Sequence, residues 1–587
     1  MIKLLKYLKT KEWLLVALCA VFIFAQVWLD LKIPDYMQEI TVLVQTEGSL
    51  MADVWHAGLM MMLCALGSLV TAIVVCFIGA KISATISFRL KKAVYDKVES
   101  FSMEEINKFS TSSLITRSTN DITQVQLFTF LAMQVLIKAP ILAIWAVFKI
   151  ADKGWEWSLA TISAVCLLVI ILVIVMAFAI PKFKKMQRLT DNINKVTREN
   201  LTGVRVVRAF NAESYQEQKF EKANEELTNT QLFTGKLMAV LLPAMTLIMD
   251  GLMLAIYWIG AFLIDSASQI DKLTIFADMI VYTSYAMQIV MAFMMLIMVF
   301  MIMPRASVSA NRINEVLNTK PNIVDGTYDS SNNDIRGEIE FKNVSFKYPD
   351  ADEYILENVS FKVEKGETVA FIGSTGSGKS TLINLIPRFY DATDGVVLID
   401  GVNVKDYNQK DLHNKIGYVA QKAVIFSGSI SSNINFGEND KGEMTAQDIE
   451  KSANIAQASS FIESMPGKYD SNIAQSGTNL SGGQKQRLAI ARAIARNPEI
   501  LVFDDSFSAL DYKTDKVLRE ELNRQTKDIT KVIVAQRIGT IIDADKIVVL
   551  DSGKIVGVGK HSELIEKCEV YKEIALSQLS KEELENA

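Results

Sequence analysis

Six long apolar segments dominate the first half of this chain of 587 residues. They lie near residues 13–31, 57–79, 131–150, 155–180, 237–264 and 276–303. Each is close to or above the ~20 residues with which an α-helix crosses a bilayer. Since lipid offers the backbone no hydrogen-bond partners, such segments fold as helices whose peptide groups pair internally. The sequence therefore predicts a polytopic α-helical membrane domain with six spans over residues 1–320.

The positive charges between these spans indicate how they are oriented. Residues 181–236 carry eleven Lys and Arg and residues 81–130 carry seven, whereas residues 32–56 contain Lys32 alone. Lys and Arg accumulate on the cytoplasmic side of membrane proteins. Both termini and the two long loops are therefore predicted to be cytoplasmic, as in a multi-pass protein of the cytoplasmic membrane. The helical periodicity of the long loops predicts that the helices extend well into the cytoplasm.

A glycine-rich phosphate loop lies in the second half of the chain. The pattern G-x-x-x-x-G-K-[ST] spans residues 373–380 and follows the strand-forming apolar run 368–372. In this context backbone N–H groups converge on phosphates, Lys379 reaches the β- and γ-phosphates, and the Ser380 hydroxyl binds Mg²⁺. The predicted cofactors are therefore ATP and Mg²⁺. The loop residues predicted to contact the nucleotide are Gly373, Ser374, Thr375, Gly376, Ser377, Gly378, Lys379, Ser380 and Thr381.

The composition changes between the two halves of the chain. Pro321 and the polar run 325–334 predict a linker over residues 321–336. Short strands and helices alternate from Gly337 onward, which predicts an α/β P-loop ATPase domain over residues 337–587. The formal net charge of -5 is mild and predicts no nucleic-acid partner.

Two further motifs follow the phosphate loop. The apolar strand 500–504 ends in Asp504, a position suited to holding Mg²⁺. Before it, residues 479–487 read Asn-Leu-Ser-Gly-Gly-Gln-Lys-Gln-Arg. This run resembles the LSGGQ signature of ATP-binding-cassette (ABC) transporters, and the order of domains resembles a multidrug-type exporter half-transporter. The resemblance implies a signature subdomain that closes over ATP held by a second subunit, with contacts from Ser481, Gly482, Gly483 and Gln484.

Other positions match this family residue by residue. Tyr348 resembles the aromatic residue that stacks on adenine, with a surface tyrosine in a turn as the alternative. Gln421 resembles the glutamine that touches Mg²⁺ and contacts the membrane domain. Residues 508–511 resemble the D-loop, which communicates with the opposite ATP site. Residues 114–121 and 203–210 resemble the two cytoplasmic loops of exporters, which end in coupling helices that dock on the ATPase domains.

Departures from the family pattern fall at and beside the catalytic centre. Asp505 stands where the family has a glutamate that activates or orients water. Its side chain is shorter by one C–C bond, roughly 1.5 Å, whereas a catalytic group has to be held within about 0.5 Å of its productive position. Gln536 stands where the switch histidine is expected, and a neutral amide cannot carry a proton. Gln475, before the signature, also replaces a glutamate.

The changes at Asp505 and Gln536 fall in one composite ATP site, while the signature is intact. This pattern resembles one subunit of a heterodimeric exporter with a degenerate ATP site. The resemblance implies that this chain supplies the Walker motifs of the degenerate site, which are the phosphate loop 373–380 and the strand 500–504. Its Ser481 would complete the active site of a second half-transporter, which carries Glu and His at the matching positions. The alternative is that the site tolerates both changes. In that case Asp505 still supports slow ATP hydrolysis, and Gln536 hydrogen-bonds as a neutral histidine would.

The membrane half gives one indication of the substrate. Asp250 lies near the middle of the fifth span, where an acid is costly and by default functional. It is predicted to contact a cationic substrate, and a structural hydrogen bond to a neighbouring helix is the alternative. The predicted function is ATP-driven export of amphipathic compounds, drug-like molecules or lipids, across the cytoplasmic membrane as one half of a heterodimeric exporter. Nutrient uptake, or homodimeric transport of lipids or peptides, is the alternative.

Overall fold

The computed structural model divides the chain into two compact units. It describes residues 6–46, 48–151, 154–268, 271–328, 336–438, 442 and 444–578. One unit comprises Met1–Glu99 and Ser112–Thr319, and the other comprises Ser100–Thr111 and Lys320–Ala587. The predicted linker lies partly outside the described residues, since 329–335 are not among them.

The first unit is built from long helices. The helices among the described residues up to 318 are, in chain order, α1 (Thr10–Gln45), α2 (Met51–Glu99), α3 (Met103–Phe109), α4 (Thr111–Ser118), α5 (Asn120–Ala151), α6 (Trp155–Thr202), α7 (Val204–Ala209), α8 (Glu213–Ser266) and α9 (Asp271–Asn318). Of these, α3 belongs to the second unit. Six of them, α1, α2, α5, α6, α8 and α9, are long and apolar enough to cross a membrane, in a count confined to the described residues. The prediction of six spans is therefore confirmed. Most of these helices run far beyond their apolar segments.

The long helices pack mainly in pairs. Helix α1 packs against α2, α5 against α9, and α6 against α8. At the start of α1, both carboxylate oxygens of Glu12 accept hydrogen bonds from the Arg89 guanidinium of α2, at 2.8 and 2.9 Å. Glu12 is buried there, so this bidentate pair neutralises its charge where water is scarce.

The second unit is an α/β domain. The strands among its described residues are β1 (Ile339–Phe346), β2 (Leu356–Val363), β3 (Thr368–Gly373), β4 (Asp394–Ile399), β5 (Val402–Asn403), β6 (Ile416–Val419), β7 (Gly428–Ser429), β8 (Asn472–Ile473), β9 (Ile500–Asp504), β10 (Thr530–Val534), β11 (Lys546–Asp551) and β12 (Lys554–Gly559). Its helices after residue 320 are α10 (Lys379–Asn384), α11 (Gln409–Lys415), α12 (Ile430–Ile434), α13 (Ala446–Ile455), α14 (Ser459–Ser464), α15 (Gly482–Ala495), α16 (Tyr512–Gln525), α17 (Ile538–Ile541), α18 (His561–Lys567) and α19 (Glu569–Leu576). The predicted order, a helical membrane domain followed by an α/β ATPase domain, is confirmed.

The central sheet of this unit is largely parallel. Its strand order is β12-β11-β3-β10-β9-β6, with β12 alone antiparallel to its neighbour. A second, antiparallel sheet has the order β2-β1-β4-β5. Neighbouring residues of β3 face different cores, since Val369 and Phe371 belong to one buried cluster and Ala370 and Ile372 to the other. This burial on both faces explains why β3 reads as a continuous apolar run.

The parallel strands place the predicted site residues along one edge. The phosphate loop follows β3, Asp504 ends β9, and Gln536 follows β10, which lies between β3 and β9. Gln421 follows β6, which pairs with β9. The carboxyl ends of neighbouring parallel strands meet at one edge of a sheet, and ligands bind there in open α/β folds.

A buried ion triad stabilises the opposite edge of this unit. The Lys415 ammonium, at the end of α11, lies 2.9 Å from the Asp400 carboxylate and 2.7 Å from the Glu499 carboxylate. The Asp400 side chain is fully buried and the Lys415 side chain is 10% exposed. Each charge therefore depends on the others for compensation.

Replacing the lysine of this triad should destabilise the ATPase unit. Lys415→Met leaves two nearby carboxylates without their cation, and removing one partner of a buried pair typically costs about 3–5 kcal/mol. We expect the thermal unfolding midpoint of the detergent-solubilised chain to fall by several degrees. Lys410→Met is the matched control, because its ammonium lies 3.9 Å from Glu438 at the surface, where a pair contributes about 1 kcal/mol or less. Equal midpoints for the two variants would contradict the structural role of the triad.

Candidate nucleotide-binding site

The phosphate loop connects β3 to α10 and is shaped by its glycines. A Cβ atom on Gly373 would lie 2.0 Å from the Leu550 carbonyl oxygen of β11. Gly378 has φ of +93°, a conformation that L side chains rarely adopt. The Lys379 ammonium donates to the carbonyl oxygens of Gly373 and Ser374 at 2.9 and 2.7 Å. The Lys379 side chain therefore lies across the loop. Desolvation by burial lowers the pKa of its ammonium group.

Ser380 and Asp504 form a pair of oxygen donors beside the loop. The Ser380 hydroxyl donates to Asp504 Oδ1 at 2.8 Å. Burial raises the pKa of Asp504, and the hydrogen bond from Ser380 acts in the opposite direction. A hydroxyl and a carboxylate are the hard oxygen ligands that Mg²⁺ prefers, with substrate phosphates and water completing the shell. These residues fit the predicted Mg²⁺ site, and binding the ion would favour the ionised form of Asp504.

Asp505 accepts two side-chain amides on one carboxylate oxygen. Its Oδ2 accepts from Gln536 Nε2 at 2.8 Å and from Gln421 Nε2 at 3.3 Å. The residue is 7% exposed and has φ of +45°, in the sparsely populated left-handed region. Burial raises its pKa, whereas the Gln421 hydrogen bond lowers it. Gln578 in turn donates to the Gln536 carbonyl at 2.7 Å.

Tyr348 lies in an aromatic cluster close to the end of the loop. Its hydroxyl hydrogen-bonds the Thr381 hydroxyl at 3.1 Å. Its ring lies edge-on to Phe346 and Tyr390, at centroid distances of 5.0 and 5.4 Å. The three rings fix the tyrosine next to the first turn of α10. The position is compatible with stacking on a nucleotide base, since Tyr348 is only partly buried.

The signature residues form the start of α15. Ser481 Oγ accepts the Gln484 N–H at 3.3 Å, and Gln484 Oε1 accepts the Ser481 N–H at 2.8 Å. This reciprocal pair is a capping box, which terminates a helix by satisfying two free N–H groups. Ser481 and Gly482 are exposed. No hydrogen bond among the described residues joins the signature to the phosphate loop.

The structure brings together Lys379, Ser380, Gln421, Asp504, Asp505 and Gln536, as hydrogen-bonded neighbours or charges close enough to perturb one another. The Asp505 amide contacts cannot be predicted from the sequence, because they depend on the register of three strands.

Two other predicted residues take no part in these hydrogen bonds. Gln475 lies in a one-turn 3₁₀ segment before the signature, with Ser476 beside it at φ of +57°. Asp250 is exposed on α8. Among the described residues its carboxylate has no hydrogen-bond partner.

Helix α3 lies outside the predicted cytoplasmic loop at residues 114–121. Those residues belong to α4 and to the start of α5, whereas Ser100–Thr111 groups with the ATPase unit. Glu105 is 3% exposed and accepts the Asn322 N–H at 3.0 Å. Asn107 Nδ2 donates to the Tyr390 hydroxyl oxygen at 3.1 Å. The pattern Ser102-x-x-Glu105, a capping box, is the sequence signal that marks the start of this helix.

The Mg²⁺ assignment predicts a specific loss on removing one charge. In Asp504→Asn the Ser380 hydroxyl keeps an acceptor of the same shape, but the cation loses its carboxylate. We expect Mg²⁺ to stop raising the affinity for ATP, with a loss of about 10- to 100-fold for MgATP, the range for a contact to a charged group. Titration with fluorescent ATP, with and without Mg²⁺, measures this. Asp545→Asn is the control, since that carboxylate accepts the Thr368 N–H at the start of β3. An unchanged Mg²⁺ effect in Asp504→Asn would contradict the assignment.

Comparisons with known proteins agree with this geometry. A family model described as ABC transporter matches residues 356–508, and one described as ABC transporter transmembrane region matches residues 15–293. The chain is 38% identical over 520 residues to an uncharacterised ABC transporter ATP-binding protein of Mycobacterium tuberculosis, covering 88% of this chain and 86% of that protein. It is 32% identical over 489 residues to the ATP-dependent lipid A-core flippase of Pseudomonas aeruginosa, covering 83% of this chain and 79% of the flippase.

A solved structure is also similar over nearly the whole chain. The structure of a bacterial Atm1-family ABC exporter with ATP bound superimposes with a TM-score of 0.82 at 25% identity, covering 97% of this chain and 100% of the exporter. The match includes both the membrane helices and the ATPase unit. The two family models together span most of the chain in the order seen here. The chain therefore belongs to the ABC transporter family, as an exporter with a transmembrane domain and an ATP-binding domain.

Proposed function

We propose that this exporter chain is one half of a heterodimer and contributes a degenerate ATP site. In this proposal it exports amphipathic compounds, drug-like molecules or lipids, across the cytoplasmic membrane, with both termini and the ATPase unit in the cytoplasm. Its Walker motifs bind ATP but hydrolyse it poorly. Its signature completes the active site on a second half-transporter, which carries Glu and His where this chain has Asp505 and Gln536.

The contacts of Asp505 are the observation that carries this proposal. A general base has to present a free lone pair to the attacking water within hydrogen-bond distance. Here two amides donate to Oδ2 of Asp505, at 2.8 and 3.3 Å, which fixes the carboxylate and leaves water to be accepted only at its other oxygen. The side chain is also one methylene shorter than glutamate, so the carboxylate lies roughly 1.5 Å back from the usual position. An aspartate held in this way is a poor base.

Gln536 removes a second contribution to hydrolysis. A protonated histidine can supply positive charge to the transition state, whereas a glutamine amide stays neutral. One N–H of the Gln536 amide is moreover directed to Asp505 at 2.8 Å, so the amide has only its second N–H for a phosphate. Both substitutions weaken the chemistry of one site. Neither touches Lys379, Ser380 or Tyr348, the residues proposed to bind the nucleotide.

The signature supports an active role at the other site. The exposed Ser481 and Gly482 lie at the start of α15, a helix of 14 residues. Free N–H groups at a helix start favour anionic ligands. The Ser481 capping contact uses its oxygen as acceptor, which leaves its O–H as a donor. These residues are therefore available to a γ-phosphate held by a partner's Walker motifs.

A homodimer with slow aspartate catalysis is the second candidate. The intact Walker and signature motifs favour it, since a symmetric pair could bind ATP at two identical sites. The two candidates differ in the ATPase activity of the purified chain. A homogeneous preparation that turns over like a complete exporter would favour the homodimer.

The relatives favour lipid or lipid-like substrates for the proposed export. The lipid A-core flippase is named for a lipid, and it covers most of the present chain. Uptake of a nutrient is the competing direction of transport. The direction of ATP-dependent flux in inside-out vesicles distinguishes the two, because only an exporter accumulates substrate inside them.

Asp250 is proposed to contact the substrate or the second subunit within the membrane. Its side chain is exposed on α8, and the next residue, Gly251, lines a groove of ≈ 420 Å³ between α6 and α8. The groove is lined mainly by small and apolar residues, including Ala160, Ala164, Gly251 and Ala255. An unpaired acid at membrane depth is costly unless it meets a charged or polar partner.

Mutations of Ser481 and of Asp505 should differ strongly in their effect on ATPase activity in the reconstituted heterodimer. Ser481→Arg removes a donor to the phosphate that is cleaved and adds bulk, so steady-state ATPase should fall by about 10²–10³, the typical effect of losing one transition-state donor. Asp505→Asn should leave most of the activity, because its site contributes little. Nucleotide binding to both variants is measured in parallel as the control. The reverse ranking would place the working site on this chain's own Walker motifs.

Neutralising Asp250 should change transport selectively. Asp250→Asn removes a charge in the membrane at nearly constant shape, so transport of cationic substrates should fall more than transport of neutral ones. Uptake of a matched pair of cationic and neutral dyes into inside-out vesicles measures this. Asp265→Asn, near the end of α8, is the control. Equal effects on both dyes would assign Asp250 a structural role.

A further inference from the structure

We propose that Tyr390 couples base binding at Tyr348 to α3, the helix that connects α2 to α4 through the ATPase unit. In this inference Tyr390 is a positioning residue and does not itself touch the nucleotide. The inference rests on the proposed ATP site, in which Tyr348 stacks on adenine. It adds a route by which the ATP site influences a segment that continues directly into two helices of the membrane domain.

The route consists of two contacts within one compact unit. The rings of Tyr348 and Tyr390 meet edge to face, at a centroid distance of 5.4 Å and an angle of 89°. The Tyr390 hydroxyl oxygen then accepts a hydrogen bond from Asn107 Nδ2 of α3 at 3.1 Å. One side chain therefore contacts both the residue proposed to hold the base and the helix proposed to respond.

The surroundings of Tyr390 restrict its movement. Phe346 packs against both tyrosine rings, at 5.0 Å from Tyr348 and 5.6 Å from Tyr390. Close-packed side chains transmit displacements because the interior has little free volume. Fixing the Tyr348 ring by stacking would therefore also narrow the positions open to Tyr390. A narrower distribution of its hydroxyl strengthens the hydrogen bond to Asn107.

Helix α3 is held at a second point that does not depend on the nucleotide. Glu105 accepts the Asn322 N–H at 3.0 Å. The ring of Phe101, just before the helix, also stacks on the ring of Phe109 at its last residue. Helix α3 consists of only 7 residues, too short to be stable without such contacts. Glu105 keeps α3 docked, while Asn107 is exposed and makes the contact that can vary.

Connectivity gives this contact a consequence for transport. Residues 100–111 join the ATPase unit, and the chain continues on either side into α2 and α4 of the membrane unit. A change in the order of α3 reaches those helices through the backbone itself. The coupling is reciprocal, so whatever docks α3 more firmly also strengthens base binding by the same factor.

The test compares two ligands that differ in the base. Hydrogen exchange of residues 100–111 is followed in the full-length chain, without Mg²⁺ to prevent hydrolysis, at saturating ATP or saturating inorganic tripolyphosphate. ATP should slow exchange in α3 by about 5-fold, the effect of one neutral hydrogen bond. Tripolyphosphate occupies the phosphate loop without a base and should slow it by less than half as much. Equal protection by the two ligands would overturn the inference.

Tyr390→Phe is the decisive variant. It keeps the ring and removes the hydroxyl, so ATP should still bind within about 5-fold of the wild-type affinity, whereas the ATP-dependent slowing in α3 should be lost. Asn107→Ala should have the same effect, and Lys108→Ala, its neighbour on α3, should keep the wild-type response. A variant that merely loosens α3 would exchange faster with and without ATP but would keep the ratio. A retained ratio in Tyr390→Phe would therefore overturn the inference.

Tyr348→Ala separates this inference from the proposed function beneath it. If ATP binds to that variant as to wild type, the assignment of Tyr348 to the base is wrong, and the inference fails with it. If ATP affinity falls, the assignment stands, and the ratios measured for Tyr390→Phe and Asn107→Ala decide the inference alone.

Discussion

The hydrogen bonds to Asp505 depend on the whole architecture of the ATPase unit. Gln421, Asp505 and Gln536 follow three different strands, β6, β9 and β10, which are adjacent in the parallel sheet. Their side chains meet because the carboxyl ends of these strands share one edge with the phosphate loop. The sheet in turn packs between two buried cores, to which the apolar residues of β3 contribute. The position of Asp505 Oδ2 therefore depends on how the strands of the whole domain pack.

The same edge serves two purposes that have different requirements. Binding a nucleotide needs backbone N–H groups, a cation and oxygen ligands, which we propose that residues 373–380 and Asp504 provide. Cleaving it also needs a free base and a group that carries positive charge. In our proposal the positions of those two groups are taken by Asp505 and by the neutral Gln536, which hydrogen-bond one another. A site can therefore retain binding and lose chemistry through two substitutions, without any change in fold.

Much of this molecule could be predicted from the sequence. Lipid imposes long apolar helices, so the six spans can be predicted from the length and position of the apolar segments. The phosphate loop and signature were also visible, because each consists of adjacent residues. The amide contacts of Asp505 were not, since they join residues far apart in sequence through strand register. Helix α3 was overlooked for a similar reason: its docking through Glu105 and Asn107 involves residues more than 200 positions away. The exposed position of Asp250 on α8 also required the structure.

The central claim is that this chain binds ATP at its own Walker motifs without cleaving it efficiently. The most direct measurement is the identity of the nucleotide bound to each subunit during turnover. A radiolabelled azido-ATP is photocrosslinked to the reconstituted heterodimer at steady state, the subunits are separated, and the adduct on each is identified. We expect this chain to carry mainly the triphosphate while the partner carries mainly the diphosphate. A diphosphate on this chain, in the proportion found on the partner, would contradict it.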